Sequence, residues 1–483
     1  MKPVSLMKQM LLSLGLLCGM FSAVAQAPSW ERRNTTGPIQ TPPAQVARQT
    51  VTLNATTAWH LMRNAGSDAT HSYLARTSNG TDWTHLPITG SPGYQALNLT
   101  AVDASTAYVA QAHSPDGYTS QGEILRTQDG GLTWKKITNT EYTSAGSVLR
   151  WVHFFDASTG VAFGDPMDSS FEVYRTTNAG TTWQRVDASN LPLPFFGEGA
   201  SGYFIGTPYF ALGNTIWTGT SAGRIFKSTD QGRTWTAVLP FPESGSTWSM
   251  AFQDANHGLA YDPSAADYTY DAFIIRTADG GATWEKITPL YNRKGCVYIT
   301  QLDAIPGAYI SVGVTGELPD PDFAGQGSSV SADGISWVDI DRDLPRNRYI
   351  SLDALSATVA FATSATDAHS QDNPGAGGFY QLQGNLLAGL VTASRTTNEA
   401  RTATVYPNPS ASGRFQLLLS PGFAPAEVTI SDLVGRWVTT QRVSLPTGGS
   451  PTATVDLSPY PAGLYHLHVQ TGKGTQTLRI ISK

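Results

Sequence analysis

Through the middle of the chain, apolar and β-branched positions come in short runs broken by polar turns. NLTAVD, AYVAQ, EILRT and LTWKKI follow one another, separated by DAST, a longer loop and a Gly-rich turn. VHFFDASTGVAFG, MAFQDANHGLAYD and ISLDALSATVAFA repeat the opening pair: a strand, a turn of Asp, Ala, Ser or Asn, and a second strand. No segment carries a convincing amphipathic helical period. The pattern predicts an all-β protein assembled from units of four short strands.

The units recur. RTSNGTDW ends at Trp83, RTQDGGLTW at Trp134, RTTNAGTTW at Trp183, KSTDQGRTW at Trp235, RTADGGATW at Trp284 and SADGISW at Trp337. The intervals between these tryptophans are 51, 49, 52, 49 and 53 residues. In each segment an acidic or amide side chain (Asn79, Asp129, Asn178, Asp230, Asp279, Asp333) can accept bonds from backbone N–H groups further along the turn. Gly131, Gly180, Gly232 and Gly281 tolerate positive φ, and the tryptophan buries a large ring. Asn in two copies keeps the acceptor oxygen and loses the charge. A turn clasp survives that exchange; a metal ligand or catalytic acid does not.

These residues resemble the Asp-box, S/T-x-D-x-G-x-T-W, of sialidase-type (BNR) β-propellers. Four copies fit the eight-residue form; Thr77 to Trp83 and Ser331 to Trp337 are one residue shorter. The strand pattern looks most like the photosystem II assembly factor group of that family. The resemblance implies that the boxes are structural and lie on the outer hairpins, away from any active site. Six boxes and a boxless remainder, RYISLDA, TVAFATS and GFYQLQ, leave the last unit one strand short. SWERRNT at the front resembles TWEKIT, and Trp30 lies 53 residues before Trp83. The expectation is a seven-bladed β-propeller over residues 28–385, closed by the strand around Trp30 so that no sheet edge is left open. An open solenoid would favour shorter repeats.

A different pattern follows a linker at 386–402. Over 403–483 apolar strands alternate with Pro and Gly turns, which suggests a small C-terminal β-sandwich. Tyr406-Pro407-Asn408-Pro409, Gly413-x-Phe415, Asp432-Leu433-x-Gly435-Arg436, Val455-Asp456-Leu457-Ser458, Pro461-Ala462-Gly463-Leu464-Tyr465 and a final Lys483 resemble the sorting domain of type IX secretion substrates. That resemblance implies the type IX secretion machinery as partner, passage across the outer membrane, removal of the tail, and release or attachment at the cell surface. His466 and His468 share a strand face, but two histidines do not make a metal site.

The front supports export. Lys2 and Lys8, the 12-residue apolar run Met10–Phe21 and small residues at Ala23, Ala25 and Ala27 have the order of a signal peptide over residues 1–27. The run is shorter than the roughly 20 residues that span a bilayer, and no other stretch is apolar enough to cross one. Leu17 before Cys18 argues against a lipoprotein signal. Removal of the leader leaves 29 Lys and Arg against 37 Asp and Glu, an acidic balance that argues against nucleic acid. It also leaves Cys296 as the single cysteine, in a strand-like run that suits a buried structural thiol.

A four-stranded meander puts the Asp-boxes on one face of the ring and the longest loops on the other. Those loops concentrate carboxylates and aromatics. The candidate ligand-binding face comprises Asp165, Asp168, Glu198, Tyr203, Asp262, Asp267, Tyr268, Tyr270, Asp271, Glu317, Asp320, Asp322, Arg346, Arg348, Tyr349, Asp367 and Asp372. Sialidase chemistry needs an arginine cluster, yet the recurring Arg76, Arg126, Arg175 and Arg276 precede boxes and so sit on the wrong face. A hydrolase using two opposed carboxylates is the alternative, with no pair singled out. Asp339, Asp341 and Asp343 alternate, as do Asp320 and Asp322, but neither run has the Gly and distal Glu of an EF-hand. The leading expectation is a monomeric, secreted or surface-attached binding module without catalysis, cofactor or metal, whose ligand is an extracellular glycan or protein.

Overall fold

The computed structural model describes residues 26–33, 45–64, 72–113, 121–138, 148–200, 207–240, 249–262, 273–289, 295–314, 326–340, 349–364 and 378–388. In the tail it describes 403–408, 410–419, 426–432, 437–443, 452–461, 463–471 and 474–482, with a few single residues elsewhere. The chain forms two compact units, residues 1–391 and 392–483.

In the first unit the described strands form seven four-stranded antiparallel sheets. Six of them are simple meanders, such as Gln95–Ala101, Ala107–His113, Gln121–Thr127 and Lys135–Lys136. The seventh takes Tyr349–Ser356, Val359–Ser364 and Phe379–Gln383 from the end of the unit and its outer strand, Ser29–Arg33, from the beginning. Trp30 pairs with Leu382 in this sheet, is 5% exposed, and donates from its indole Nε1 to Ser328 Oγ of the sixth sheet at 2.9 Å.

Sheets with two apolar faces stack side by side, and the first strand of each touches the first strand of the next. The junctions repeat one device. A polar side chain on one first strand bonds the backbone of its successor. Gln49 Nε2 donates to the Leu99 carbonyl and Gln49 Oε1 accepts from Leu99 N–H, both at 2.8 Å. Asn98 Oδ1 accepts from Val152 N–H at 2.8 Å, and Ser249 Oγ from Leu302 N–H at 2.8 Å. Gln301 grips Leu352 N–H and C=O at 3.0 and 2.8 Å. Ser351 Oγ closes the circle on Thr50 Oγ1 at 2.8 Å. At the remaining two junctions aromatic rings meet, Trp151 with Tyr209 at 4.8 Å and Phe210 with Phe252 at 5.9 Å, and at the first of them Tyr209 Oη also donates to Val152 O at 3.4 Å. First strands that follow one another and return to the start make this unit a β-propeller.

A second set of latches lies at the outer turns. In 127–134, Asp129 Oδ1 accepts from Thr127 Oγ1 and Thr133 N–H at 2.8 and 2.9 Å, while Thr127 Oγ1 takes Gly131 N–H at 2.9 Å. Asn178 makes the equivalent bond to Thr182 N–H at 2.9 Å and donates its amide to Thr182 Oγ1, so the exchange of Asp for Asn keeps the clasp. The fourth turn residue is left-handed: Gly130, Ala179, Gln231 and Gly280 have φ of 76°, 56°, 59° and 74°. Its carbonyl is taken by the preceding sheet. Arg76 donates to Gly130 O at 3.1 Å, Arg126 to Ala179 O at 2.9 Å, Arg175 to Gln231 O at 2.7 Å and the Trp217 indole to Gly280 O at 2.9 Å. The arginines before the turns thus serve as inter-sheet ties.

Two details depart from the sequence reading. The propeller does not end at residue 385: one helical turn follows, and Leu386 is fully buried beside Tyr349 and Leu382, with its N–H on Ala357 O at 2.8 Å. Cys296 is buried, but the regular strand begins only at Gln301, with Ile299 and Thr300 N–H reaching Val314 O and Val312 O at 2.8 and 3.0 Å just before it.

The second unit holds a three-stranded sheet (Ala403–Tyr406, Arg414–Leu419, Thr452–Asp456) and a four-stranded one (Trp437–Val443, Ala426–Asp432, Gly463–Thr471, Gly474–Ser482). Alternation decides its core: Phe415, Leu417, Val455, Tyr465, Leu467 and Val469 point inward. Gly413, at φ 66°, lets its carbonyl accept from Leu457 N–H at 2.8 Å, and Asn408 Oδ1 accepts from Ile481 N–H at 2.9 Å. His468 Nε2 meets Ser431 Oγ at 3.1 Å. Pro409, Gly435 and Arg436 lie outside the described residues.

Loss of a buried aromatic or of a buried amide that satisfies two backbone groups should open the ring at a defined place. Trp30→Ala is expected to destabilise the propeller by about 3–5 kcal/mol. Gln301→Ala should cost about 1–3 kcal/mol, because Leu352 N–H and C=O are left unpaired. Guanidinium unfolding of the two variants checks both values, with the exposed Leu132→Ala expected to stay within about 0.5 kcal/mol.

Candidate functional site

The first strands enclose a channel cavity of about 210 Å³. All seven sheets contribute to its lining. Its titratable groups are His153, Tyr209, Asp303 and Asp353. Asp303 sits on Gln301–Ile305, with Oδ1 accepting from Ala304 N–H at 2.8 Å and Oδ2 from Ala354 N–H of the next sheet at 2.6 Å. Asp353 repeats this one sheet further on, with Oδ2 accepting from Thr52 N–H. Each carboxyl therefore also stitches a junction.

Burial governs their protonation. It holds Asp303 well above the usual carboxylate range, and the neighbouring Asp353 charge adds to the rise. Burial raises Asp353 to about 6 against the opposing pull of its bonds from Thr52. His153 is pushed down to about 4 by the same desolvation, and its Nδ1 lies 3.2 Å from Tyr209 Oη. Tyr209 is raised by burial, with the Asp353 charge a smaller contribution. At neutral pH the imidazole and phenol are uncharged, and the carboxyl pair resists double ionisation.

The long-loop face is built differently. Asp165 lies two residues before the end of the strand Gly160–Met167 and is clamped by Arg150, Nε to Oδ1 at 2.9 Å and Nη2 to Oδ2 at 2.5 Å. It also accepts from Ala200 N–H at 3.0 Å. Glu198, on the link between the third and fourth sheets, is buried. Arg224 grips it at 2.9 and 2.5 Å, Thr220 Oγ1 donates at 2.5 Å, and Phe195 N–H at 2.8 Å. The Arg224 guanidinium also stacks on Phe195, 4.1 Å from the ring centroid.

Among the other sequence-predicted residues, Asp168 is exposed at a hairpin tip with φ 50°. Tyr349 is 1% exposed, packed against Trp30 and Tyr380, so its ring belongs to the core. For Asp262 the backbone alone is described, at the end of Gly258–Asp262. Tyr203, Asp267, Tyr268, Tyr270, Asp271, Glu317, Asp320, Asp322, Arg346, Arg348, Asp367 and Asp372 lie outside the described residues. Asp165 and Glu198 are brought to one place, joined through residues 198–200. Sequence reasoning missed Asp303 and Asp353. Their signal was the repeat itself: Val51, Thr100, His153, Asp303 and Asp353 line the channel at nearly the interval of the tryptophans. Arg150 and Arg224 carry no such spacing. No group of three potential metal ligands occurs among the described residues, and no helix there is long and apolar enough to cross a membrane.

Residues 404–483 match the secretion system C-terminal sorting domain model. The tail is a sorting domain. It directs secretion by the type IX system to the cell surface or extracellular space. The chain is also 27% identical over 284 residues to xyloglucanase Xgh74A of Acetivibrio thermocellus, a match covering 51% of this chain and 32% of that protein. The chain spans about a third or less of the length of the curated relatives it matches. Among solved structures, PorZ, a surface component of the type IX secretion system of Porphyromonas gingivalis, aligns at 12% identity and a TM-score of 0.41, covering 89% of this chain and 58% of that one. YCF48 from Cyanidioschyzon merolae aligns at 13% identity and a TM-score of 0.30, covering 74% and 98%.

The raised channel carboxyls set a pH dependence. In the folded protein Asp353 holds a proton that the unfolded chain releases near pH 4, so its contribution to stability is full below that pH and is lost as pH rises through about 6, and Asp303, also raised by burial, acts in the same direction. Asp353→Asn keeps an acceptor for Thr52 N–H and removes one ionisation. It should raise stability at pH 8 by on the order of 1–3 kcal/mol and give no gain at pH 4. Paired unfolding curves of native and variant protein at the two pH values check this.

Proposed function

We propose that this protein is an exported propeller that binds extracellular glycan without cleaving it. Residues 1–27 serve as its signal peptide, the six tryptophan-ending turns are Asp-boxes, and the seven sheets are the blades of one ring. The sorting tail supports delivery outside the cell. One observation carries the non-catalytic part: Asp165, Glu198, Asp303 and Asp353 are all committed to the scaffold. Two are locked by arginines and two by backbone N–H groups of adjacent strands. Glycoside hydrolysis needs two carboxyl groups facing each other across a substrate, one free to give a proton and one to act on the opposite side. The glycan part is supported by the similarity to xyloglucanases. That similarity also favours a second reading, hydrolysis of such a polysaccharide by carboxylates of the loop face.

Incubation of the purified protein with xyloglucan separates the two. Binding seen by affinity electrophoresis with no new reducing ends supports the binding module; release of reducing ends establishes the hydrolase. In a host with type IX machinery, a chain truncated after Val391 is expected to accumulate in the periplasm, and surface proteolysis with fractionation reads this out.

A further inference from the structure

The link from Leu191 to Gly199, LPLPFFGEG, presents apolar side chains to solvent on a fixed support. Phe196 is 108% exposed, Leu193 72% and Phe195 49%. The backbone beneath them is tied at nearly every step. Arg224 Nη2 donates to Leu193 O at 2.8 Å, Glu198 Oε2 takes Phe195 N–H, and Glu198 N–H returns to Phe195 O at 3.1 Å. Gly199 N–H reaches Ser221 Oγ at 2.8 Å. Pro192 and Pro194 restrict φ between these ties. Single exposed apolar residues are ordinary, but three within four positions on a loop that cannot fold them away form a patch. A loop held in one conformation also binds without losing much conformational entropy.

Charge and extent narrow the partner. Glu198 neutralises Arg224 and Asp165 neutralises Arg150, so the tip offers no unpaired charge from these residues, on a chain whose net charge is −6. An anionic surface or polymer gains nothing here. Three exposed apolar side chains fall well short of the roughly 20–30 residues a side of a stable protein interface. A flat, uncharged group with apolar faces fits it. Resting on the glycan-binding reading above, we propose that Phe195 and Phe196 form an aromatic platform on which pyranose rings of a neutral polysaccharide stack. The Glu198–Arg224 pair is the positioning element, holding the platform from below.

The test uses the full chain, Phe196→Ala, Glu198→Gln and, as a remote exposed control, Leu132→Ala. Circular dichroism first establishes that each is folded. Affinity electrophoresis in xyloglucan, in soluble cellulose oligosaccharide and in polygalacturonate then gives dissociation constants. The expected result is retardation of the native chain and the control by a neutral glycan and not by polygalacturonate. Phe196→Ala should bind about tenfold more weakly. Glu198→Gln, which keeps the rings but loosens their support, should lose several-fold. Undiminished binding by Phe196→Ala overturns the platform while leaving the glycan-binding reading standing. Failure of the native chain to bind either neutral glycan overturns both. Equal binding to polygalacturonate overturns the neutral selectivity, and dimerisation of the native chain that Phe196→Ala abolishes in sedimentation assigns the patch to a second copy instead.

Discussion

The propeller depends on how one first strand is joined to the next. A sheet in a ring has an outer edge in solvent and an inner edge crowded against its neighbours, so the backbone groups near the axis have little access to water. Gln49, Asn98, Ser249, Gln301 and Ser351 supply polar partners at equivalent places on their strands, and Asp303 and Asp353 add a second tier. Buried amide and carboxyl groups are costly unless satisfied, and here each is satisfied by the adjacent sheet. The same bonds fix the angular register of the ring. An apolar side chain at these positions would pack but would not specify which backbone group it faces.

The outer turns solve the matching problem at the rim. Their carboxylate clasp lets one residue take the left-handed conformation, which leaves its carbonyl available to the preceding sheet's arginine or tryptophan. Stacking then fills the space between the two sets of ties, with Tyr108 on Phe154 at 3.6 Å and Trp217 on Phe252 at 3.9 Å between ring centroids. With the ring held at both radii, side chains on the opposite face need not pack into it, while Asp165 and Glu198 tie the loops there. That freedom lets 191–199 expose two phenylalanines.

Carboxylates of one residue type acquire opposite characters in the two environments. Asp129 and Asp279, in exposed turns, are drawn down to about 2 by hydrogen bonds from threonine side chains and backbone. Asp353 accepts backbone bonds too, yet is raised to about 6, because the loss of water outweighs them. The turns therefore stay ionised under mild acid while the channel pair takes up protons.

Much of this was legible in the chain. A period near fifty residues, the strand–turn alternation and the tail motifs pointed to all-β architecture and to export, because these rest on local chemistry: turn acceptors, left-handed positions and period-two burial. The place of Trp30 could be read from its phase in the repeat. What needed the tertiary structure were the side-chain relations between repeats. No spacing in the sequence says that Arg126 serves the next turn, that Glu198 is neutralised by Arg224, that Tyr349 is buried rather than offered to a ligand, or that Leu386 belongs to the core. Those facts are set by which surfaces meet when the ring closes, and a side chain's role as clasp, ligand or filler follows from that meeting rather than from its neighbours along the chain.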